Sequence, residues 1–246
     1  MNVLSRALLP AAVAVALAAG GARAAATPPI RHLVFDFTYT NMMDTTMHDS
    51  TMNNGPVSGH TDSIGGGTDR GQLVVDVLSV QPDGGLVVTI AEHAQVRNDA
   101  SATMCAVYGN TLVVCDPNKQ VGEEEMSLLR LLGSNFIDVA QIDTKNHWSV
   151  GSDSRDLKVA DDFTIVNTAN NGTMKIVETR VRKQTGSSTS SSSTSGNIVY
   201  NQTMSVPTKI VDDTMMSQEL GAGNYSTQHL QLEIGLVSDS KAAPSP

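Results

Sequence analysis

Alternation of apolar and polar residues, broken by turn-forming residues, recurs along almost the whole chain. Every second residue from Leu33 to Tyr39 is leucine or aromatic, and leucine and isoleucine occupy every second position from 230 to 236. A period of two sends successive side chains to opposite faces of a strand, so each segment predicts a strand with one buried face. The loop Pro82-Asp83-Gly84-Gly85, between the β-branched runs 72–80 and 86–93, predicts a hairpin.

The repeated hairpins predict a mainly β protein. Its expected architecture is a curved antiparallel sheet, either a half-barrel or a sandwich, built from consecutive hairpins. One covering helix is expected near 121–132, because three glutamates at 123–125 suit the positive end of a helix dipole and the leucines that follow share one face. Gly133 suits the C-terminal cap of that helix.

Three segments interrupt the strand pattern of a single predicted domain, residues 25–240. Residues 41–70 are poor in large aliphatic side chains, and we expect either an irregular edge or a long loop there. Residues 185–196 are almost all serine, threonine and glycine, which predicts a flexible loop because little apolar surface is available to offset the cost of ordering. Residues 241–246 are expected to form a disordered tail.

The first 24 residues predict a secretory signal peptide. Arg6 precedes an apolar run from Ala7 to Ala19, and Ala22-Arg23-Ala24 matches a small-residue cleavage site. We therefore expect a bacterial protein exported to the periplasm or the extracellular space. Removing the leader, with its two arginines and no acid, changes the formal net charge from −9 to −11, which argues against nucleic-acid binding. No other apolar run approaches the length of a transmembrane segment.

Cys105 and Cys115 flank a strand–turn–strand pattern. With a three-residue loop at Gly109–Thr111, the two cysteines face each other directly; a two-residue loop would place them one step out of register. In an exported chain, facing cysteines predict a cross-strand disulfide. The alternatives are a metal site or a reactive thiol.

A methionine-rich segment is the sharpest functional signal in the sequence. It contains Met42, Met43, Met47, His48 and Met52. Thioether and imidazole groups are suitable ligands for copper(I), so this segment is a candidate copper site. Packing on a half-buried strand is the alternative, because methionine also fills irregular apolar gaps.

The remaining polar patterns predict surface roles. The adjacent pairs Asp161-Asp162 and Asp212-Asp213 cannot grip one ion from a strand, and we interpret them as solubilising. The alternating cations of 180–183 are interpreted as a solvated strand face. Trp148 is either a core or rim residue or a ligand platform. No hydrolase, metalloprotease or phosphate-binding motif occurs, so no catalytic residue is predicted.

The order of predicted elements resembles that of exported bacterial lipoprotein-localisation (LolA-like) carriers and related lipid-binding proteins. The segments that carry this resemblance are Phe35–Tyr39, Gly71–Glu92, Ser127–Phe136 and Ile198–Val206. The Met-rich segment, the Ser/Thr loop and the hairpin cysteines depart from that class, and no binding residue can be carried over. The resemblance implies a half-barrel with an apolar concave face that holds acyl chains.

The sequence as a whole favours an exported, non-catalytic binding or envelope-scaffold protein with a hydrophobic small-molecule or lipid ligand. Candidate residues for its ligand face are Trp148, Leu73, Val75 and Val77, since the strand of the last three is apolar on both faces. A copper-binding protein and a structural surface protein are the alternatives.

Overall fold

The computed structural model describes residues 28–46, 65–96, 101–137, 139–154, 156–185, 189–221 and 224–241. The predicted signal peptide lies outside these residues. The strands are β1 Arg31–Thr46, β2 Gly65–Val80, β3 Leu86–Ala94, β4 Thr103–Val107, β5 Val113–Cys115, β6 His147–Asp153, β7 Leu157–Thr168, β8 Thr173–Gln184, β9 Ser190–Asn201, β10 Val206–Gly221 and β11 Asn224–Lys241. The helix α1 is Glu123–Leu129, followed by short 3-10 turns at Ser134–Phe136 and Val139–Gln141.

All eleven strands form one antiparallel sheet that is not closed. Its order is β5-β4-β3-β2-β1-β11-β10-β9-β8-β7-β6, so the first and last strands pair at the centre. Every other pair joins strands that are consecutive in sequence, as the hairpin pattern predicts. The predicted mainly β, antiparallel fold with one helix is confirmed, and the strands lie in one sheet instead of the two sheets of a sandwich.

The segment between β5 and β6 carries α1 across one face of the sheet, which we call the inner face. Residues 109–113 beside β5 and residues 150–152 of β6 line the same cavity, although these strands are the two opposite edges of the sheet. The sheet therefore curls around α1. Side chains from the inner faces of both halves join the helix in one buried cluster, which includes Phe35, Leu73, Val88, Leu128, Phe163, Ile198 and Ile234.

The helix is shorter than predicted. It ends at Leu129 with Arg130 as its C-cap, and Leu131 and Leu132 continue in tighter turns bonded to residues three positions earlier. At its start, the Gly122 N–H donates to Glu125 Oε2 at 2.7 Å. Gly133, predicted as the cap, instead has a φ of 89° and begins the following 3-10 turn, and its carbonyl accepts a 2.6 Å hydrogen bond from the Tyr200 hydroxyl.

Three loop or tail predictions need correction. The ends of the unplaced segment 41–70 belong to β1 and β2, whereas residues 47–64 lie outside the described residues. Residues 190–196 of the predicted flexible loop form half of β9, because β8 and β10 pair with it on both sides and satisfy its backbone. Lys241 pairs with Arg31 at the end of β11, while the rest of the predicted tail is not described.

The cysteine prediction is confirmed. Cys105 pairs with Cys115 across β4 and β5, and the structure joins them in a disulfide. The Tyr108 N–H donates to the Leu112 carbonyl at 2.8 Å, which closes the expected three-residue loop.

Among the described residues, no helix has the length and apolar character needed to cross a membrane.

Candidate functional site

An open cavity of about 770 Å³ lies on the inner face, between α1 and the half of the sheet formed by β7 to β11. The apolar part of its wall is formed by Tyr39, Leu112, Val113, Met126, Val150, Leu157, Val159, Met216, Leu230 and Leu232. Its polar part includes Arg130, Asp161, Arg180, Arg182, Gln184, Ser190, Ser192, Thr194, Asp212 and Thr214. A volume of this size is within the range of small-molecule sites, which are usually ~300–1,000 Å³.

Strand register brings the charged residues of this wall together. In the β10–β9–β8 row, Asp212 pairs with Gly196, and Gly196 pairs with Glu178. In the next row toward the cavity mouth, Thr194 pairs with Arg180, which pairs with Asp161. Directly paired residues share a sheet face, so carboxylates that are far apart in sequence converge on the inner face.

Gly196 makes room for this convergence. A Cβ atom at this position would lie 2.8 Å from Asp212 Oδ1 and 3.1 Å from Glu178 Oε2. Either distance is below normal van der Waals contact, so a side chain would push the two carboxylates apart. The glycine in the serine-rich strand therefore permits a cluster of buried charges.

Arg130, at the end of α1, enters this cluster from the opposite side. Its Nη2 donates to Glu178 Oε2 at 2.7 Å, and Nη1 lies 2.7 Å from Glu178 Oε1 as an ion-pair contact without hydrogen-bond alignment. Guanidinium nitrogens of Arg130 and Arg180 lie 3.7 and 3.9 Å from Asp212 Oδ2. We call Arg130, Asp161, Glu178, Arg180 and Asp212 the buried charge cluster.

Three carboxyl groups in the cluster face two guanidinium groups. Burial raises the pKa of Asp161 to about 6, against the opposing effect of the Arg130 charge, and Glu178 adds to the rise. Burial also raises the pKa of Asp212. Burial alone would lower the pKa of Arg130, but Glu178 and the two aspartates outweigh it, and the net shift is upward. Burial therefore makes both aspartates of the cluster weaker acids than an exposed aspartate.

Two of these carboxyl groups have unused hydrogen-bonding capacity. Asp161 and Asp212 are only 4% and 3% exposed, and both line the cavity. Asp161 Oδ1 and both carboxylate oxygens of Asp212 are buried without an aligned hydrogen-bond donor, although the Ser127 hydroxyl is close enough to Asp212 to oppose the rise in its pKa. Since buried polar atoms are usually satisfied, these oxygens mark the floor of the cavity as a place for a donor group.

The predicted ligand-face residues lie elsewhere. Leu73, Val75 and Val77 are buried in the core on the inner face of β2, and none of them lines the cavity. Trp148 is also a core residue, stacked on Phe163 with ring centroids 5.0 Å apart. These four side chains therefore pack the fold in this structure, and the core interpretation of Trp148 is confirmed.

The predicted copper segment is only partly described. Met42 and Met43 are neighbours on β1 and point to opposite faces of the sheet, so they cannot hold one ion together. Met47, His48 and Met52 lie outside the described residues. Within the described residues, no group of three or more His, Cys, Asp or Glu side chains is placed to hold a metal ion.

The interpretation of the aspartate pairs as solubilising is wrong for Asp161 and Asp212. The interpretation of the 180–183 cations as a solvated strand face is wrong for Arg180. Asp161 and Asp212 are buried, and Arg180 joins their cluster, whereas Asp162 and Asp213 are half exposed on the outer face. Each strand does alternate as expected. The missing signal was the register between strands, which local sequence does not reveal.

No protein-family model matches the chain, and a search of curated proteins finds no similar sequence.

Proposed function

We propose that this chain is an exported, non-catalytic binding protein that holds a small amphiphilic molecule in the open cavity. The proposed ligand has an apolar body and an uncharged or cationic group that donates hydrogen bonds. The observation that carries this proposal is a cavity with apolar walls whose floor holds the unsatisfied oxygens of Asp161 and Asp212.

The walls select for an apolar body. Leu230 and Leu232 on β11 and Leu157 and Val159 on β7 line opposite sides of the cavity, and Met126 on α1 lies above the sheet. Apolar side chains that line an open cavity gain about 25 cal/mol per Å² when a ligand removes them from water. Most of the binding free energy is therefore expected from the ligand's hydrocarbon surface.

The floor of the cavity determines which polar group the ligand carries. A carboxylate ligand at the floor would bring another negative charge toward the buried charge cluster, which has three carboxyl groups and two guanidinium groups; Arg182, the third arginine of the cavity wall, is exposed and stands outside the cluster. An amine or hydroxyl group would instead donate to the oxygens that lack partners, and satisfying them recovers part of their desolvation cost. We therefore expect long-chain amines and alcohols to bind more tightly than the carboxylate of equal length.

Export is part of the same proposal. The Cys105–Cys115 disulfide is the kind of bond that persists in oxidising compartments. The leader-like first 24 residues point to the same destination. The open sheet with a covering helix is also the architecture implied by the resemblance to exported lipid carriers.

The test is binding of dodecylamine, dodecanol and dodecanoate to the purified, lipid-free protein, measured by native mass spectrometry and displacement of an environment-sensitive fluorophore. The first two ligands are expected to bind one per chain and more tightly than dodecanoate. Met216→Trp should block binding by filling the cavity. Met215→Trp, the next residue on the outer face of the same strand, is the matched control and should leave binding unchanged.

Three results would contradict the proposal. The first is tighter binding of dodecanoate, which would reverse the predicted polarity of the floor. The second is the absence of binding by all three amphiphiles, and the third is equal loss of binding in both tryptophan variants. Absence of binding would favour a structural surface protein.

A further inference from the structure

The outer face of the sheet carries a cross-strand row of two methionines and one histidine. Met42 on β1 pairs directly with His229 on β11, and His229 pairs directly with Met215 on β10. The register is regular on both sides of His229, so the three side chains share one face and occupy adjacent positions. We call Met42, His229 and Met215 the Met–His–Met row.

The row is accessible from solvent. Met42 is 43% exposed and Met215 is 52% exposed, and the His229 side chain is 29% exposed. Because these residues alternate with the inward-facing positions of their strands, the row lies on the side of the sheet opposite the open cavity. Two large thioether side chains on a solvated face gain little from packing, so packing does not account for the arrangement.

Asp213 holds the histidine in a form suited to metal binding. His229 Nε2 lies 2.9 Å from Asp213 Oδ1, and Gln231 Nε2 donates to Asp213 Oδ2 at 3.2 Å. In the tautomer whose Nε2–H donates to the Asp213 carboxylate, Nδ1 keeps its lone pair for a metal ion. A carboxylate that orients a ligating imidazole in this way is a common outer-shell partner in metal sites.

We propose that the Met–His–Met row binds one soft monovalent metal ion, copper(I), through the Met42 and Met215 sulfurs and His229 Nδ1. Thioether sulfur favours copper(I), and imidazole also suits copper, whereas zinc is bound by thiolate, imidazole and carboxylate groups and harder cations by oxygen, so the two thioethers select against both. Binding displaces solvent from the ion and changes no oxidation state. The negative Asp213 beside the row adds a favourable charge interaction with the cation.

This site differs from the copper segment suggested by local sequence. It shares only Met42 with that segment, and its other two ligands come from β10 and β11, 173 and 187 residues further along the chain. It is also independent of the amphiphile cavity, so either proposal can fail without the other.

The test is titration of the purified protein with silver(I), a redox-inert substitute for copper(I), in chloride-free buffer. Affinity is measured by competition with a chromophoric chelator, and the His229 ring nitrogens are followed by long-range proton–nitrogen NMR. We expect one tight site, with the Nδ1 resonance shifted by the metal. Met215→Leu and His229→Gln should each weaken that site by at least about tenfold, and Asp213→Asn by ~10–100-fold.

Two control variants separate this site from other soft ligands. Met104→Leu removes an exposed methionine on β4, far from the row in strand order, and should leave the tight site unchanged. A triple variant, Met47→Leu, His48→Gln and Met52→Leu, removes every candidate ligand of the local segment except Met42 and Met43 and should also leave the tight site unchanged. The proposal is overturned if silver(I) affinity survives in both Met215→Leu and His229→Gln, or if only the triple variant loses it. Urea unfolding of each variant checks that its fold is intact.

Discussion

The inner face of the sheet has two halves along the strand direction: a covered half, packed around an aromatic cluster, and an open half, which lines the cavity. The same alternation of side chains runs through both. At the turn that follows α1, Phe136 packs with Trp148, Phe163 and Tyr200 in a continuous aromatic cluster with ring centroids 5.0–5.9 Å apart. Further along the strands, serine, threonine, methionine and arginine side chains face the open cavity, which α1 lines on its other side. The buried charge cluster lies between the two halves.

This difference teaches that coverage, not strand pattern, decides what an inward-facing position does. On β7, Phe163 is completely buried, Asp161 belongs to the charge cluster, and Val159 lines the cavity, although the three positions follow one another on the same face. Phe136, in the turn after the helix, packs on Phe163, and Arg130, the C-cap of the helix, lies beside Asp161. The cavity thus begins where the segment that follows α1 no longer packs on the strand.

Truncation along β7 should show the largest contrast between the halves. Phe163→Ala is expected to lower the free energy of unfolding by about 3–5 kcal/mol, because it leaves a void beside Phe136 and Trp148. Val159→Ala, four residues away on the cavity wall, should cost about 1 kcal/mol or less. Urea denaturation measures both changes. Similar losses at the two positions would mean that the cavity wall is packed like the core.

Removing Arg130, the cation between the covered and open halves, should lower the free energy of unfolding by a similar amount. Arg130→Met leaves Glu178, which is fully buried, without its 2.7 Å partner, and we expect a loss of about 3–5 kcal/mol. The double variant Arg130→Met, Glu178→Met should recover much of that loss, since buried ion pairs often stabilise no more than apolar replacements.

The matched control for the charge cluster is an exposed ion pair. Lys209 Nζ lies 2.7 Å from Glu233 Oε1 on the outer face, and both side chains are more than half exposed. Lys209→Met should change the free energy of unfolding by about 0–1 kcal/mol. Equal effects of Lys209→Met and Arg130→Met would show that the cluster is accessible to water.

The titration of Asp161 gives a pH-dependent effect of intermediate size. Because its pKa rises from 3.8 to about 6, the folded state keeps a proton that the unfolded state releases between these values. Its contribution to stability is therefore full well below pH 4 and is lost as the pH rises through about 6. By linkage, the difference in unfolding free energy between wild type and Asp161→Asn should fall by about 2 kcal/mol from pH 4 to pH 7.

The difference in unfolding free energy between wild type and Asp161→Asn isolates the titration of Asp161. Asp212, whose pKa is also raised, and Asp143 and Asp239, whose pKa values are lowered by hydrogen bonds, are present in both. Urea denaturation at closely spaced pH values gives the difference curve. A flat difference curve, or one that rises with pH, would mean that Asp161 is hydrated in the folded state.

Local sequence predicted the elements better than their assembly. Alternation located most of the strands, and the cysteine spacing gave the exact pairing of Cys105 with Cys115, because both features depend on residues close in sequence. The same reasoning took Ser190–Gly196 for a loop, since its serines bury little apolar surface. That strand is ordered by pairing with β8 and β10, which composition does not show.

The candidate sites lay beyond sequence reasoning for the same reason. Asp161 and Asp212 are 51 residues apart in sequence and lie on different strands, and Met42 and His229 are separated by most of the chain. Each site arises from register across the sheet, and a shift of one residue would send every one of these side chains to the other face.

A larger side chain should change the free energy of unfolding least in the open half and should lower it clearly in the covered half. Ser192→Leu places a larger apolar side chain in the cavity, where space is available, so the free energy of unfolding should change by no more than about 0.5 kcal/mol. Val75→Phe forces volume into a fully buried position and should cost about 1–3 kcal/mol. Ser192→Leu should nevertheless weaken dodecylamine binding, because the new side chain occupies ligand space. If Ser192→Leu destabilises the fold as much as Val75→Phe, the cavity closes in solution and the distinction between the halves fails.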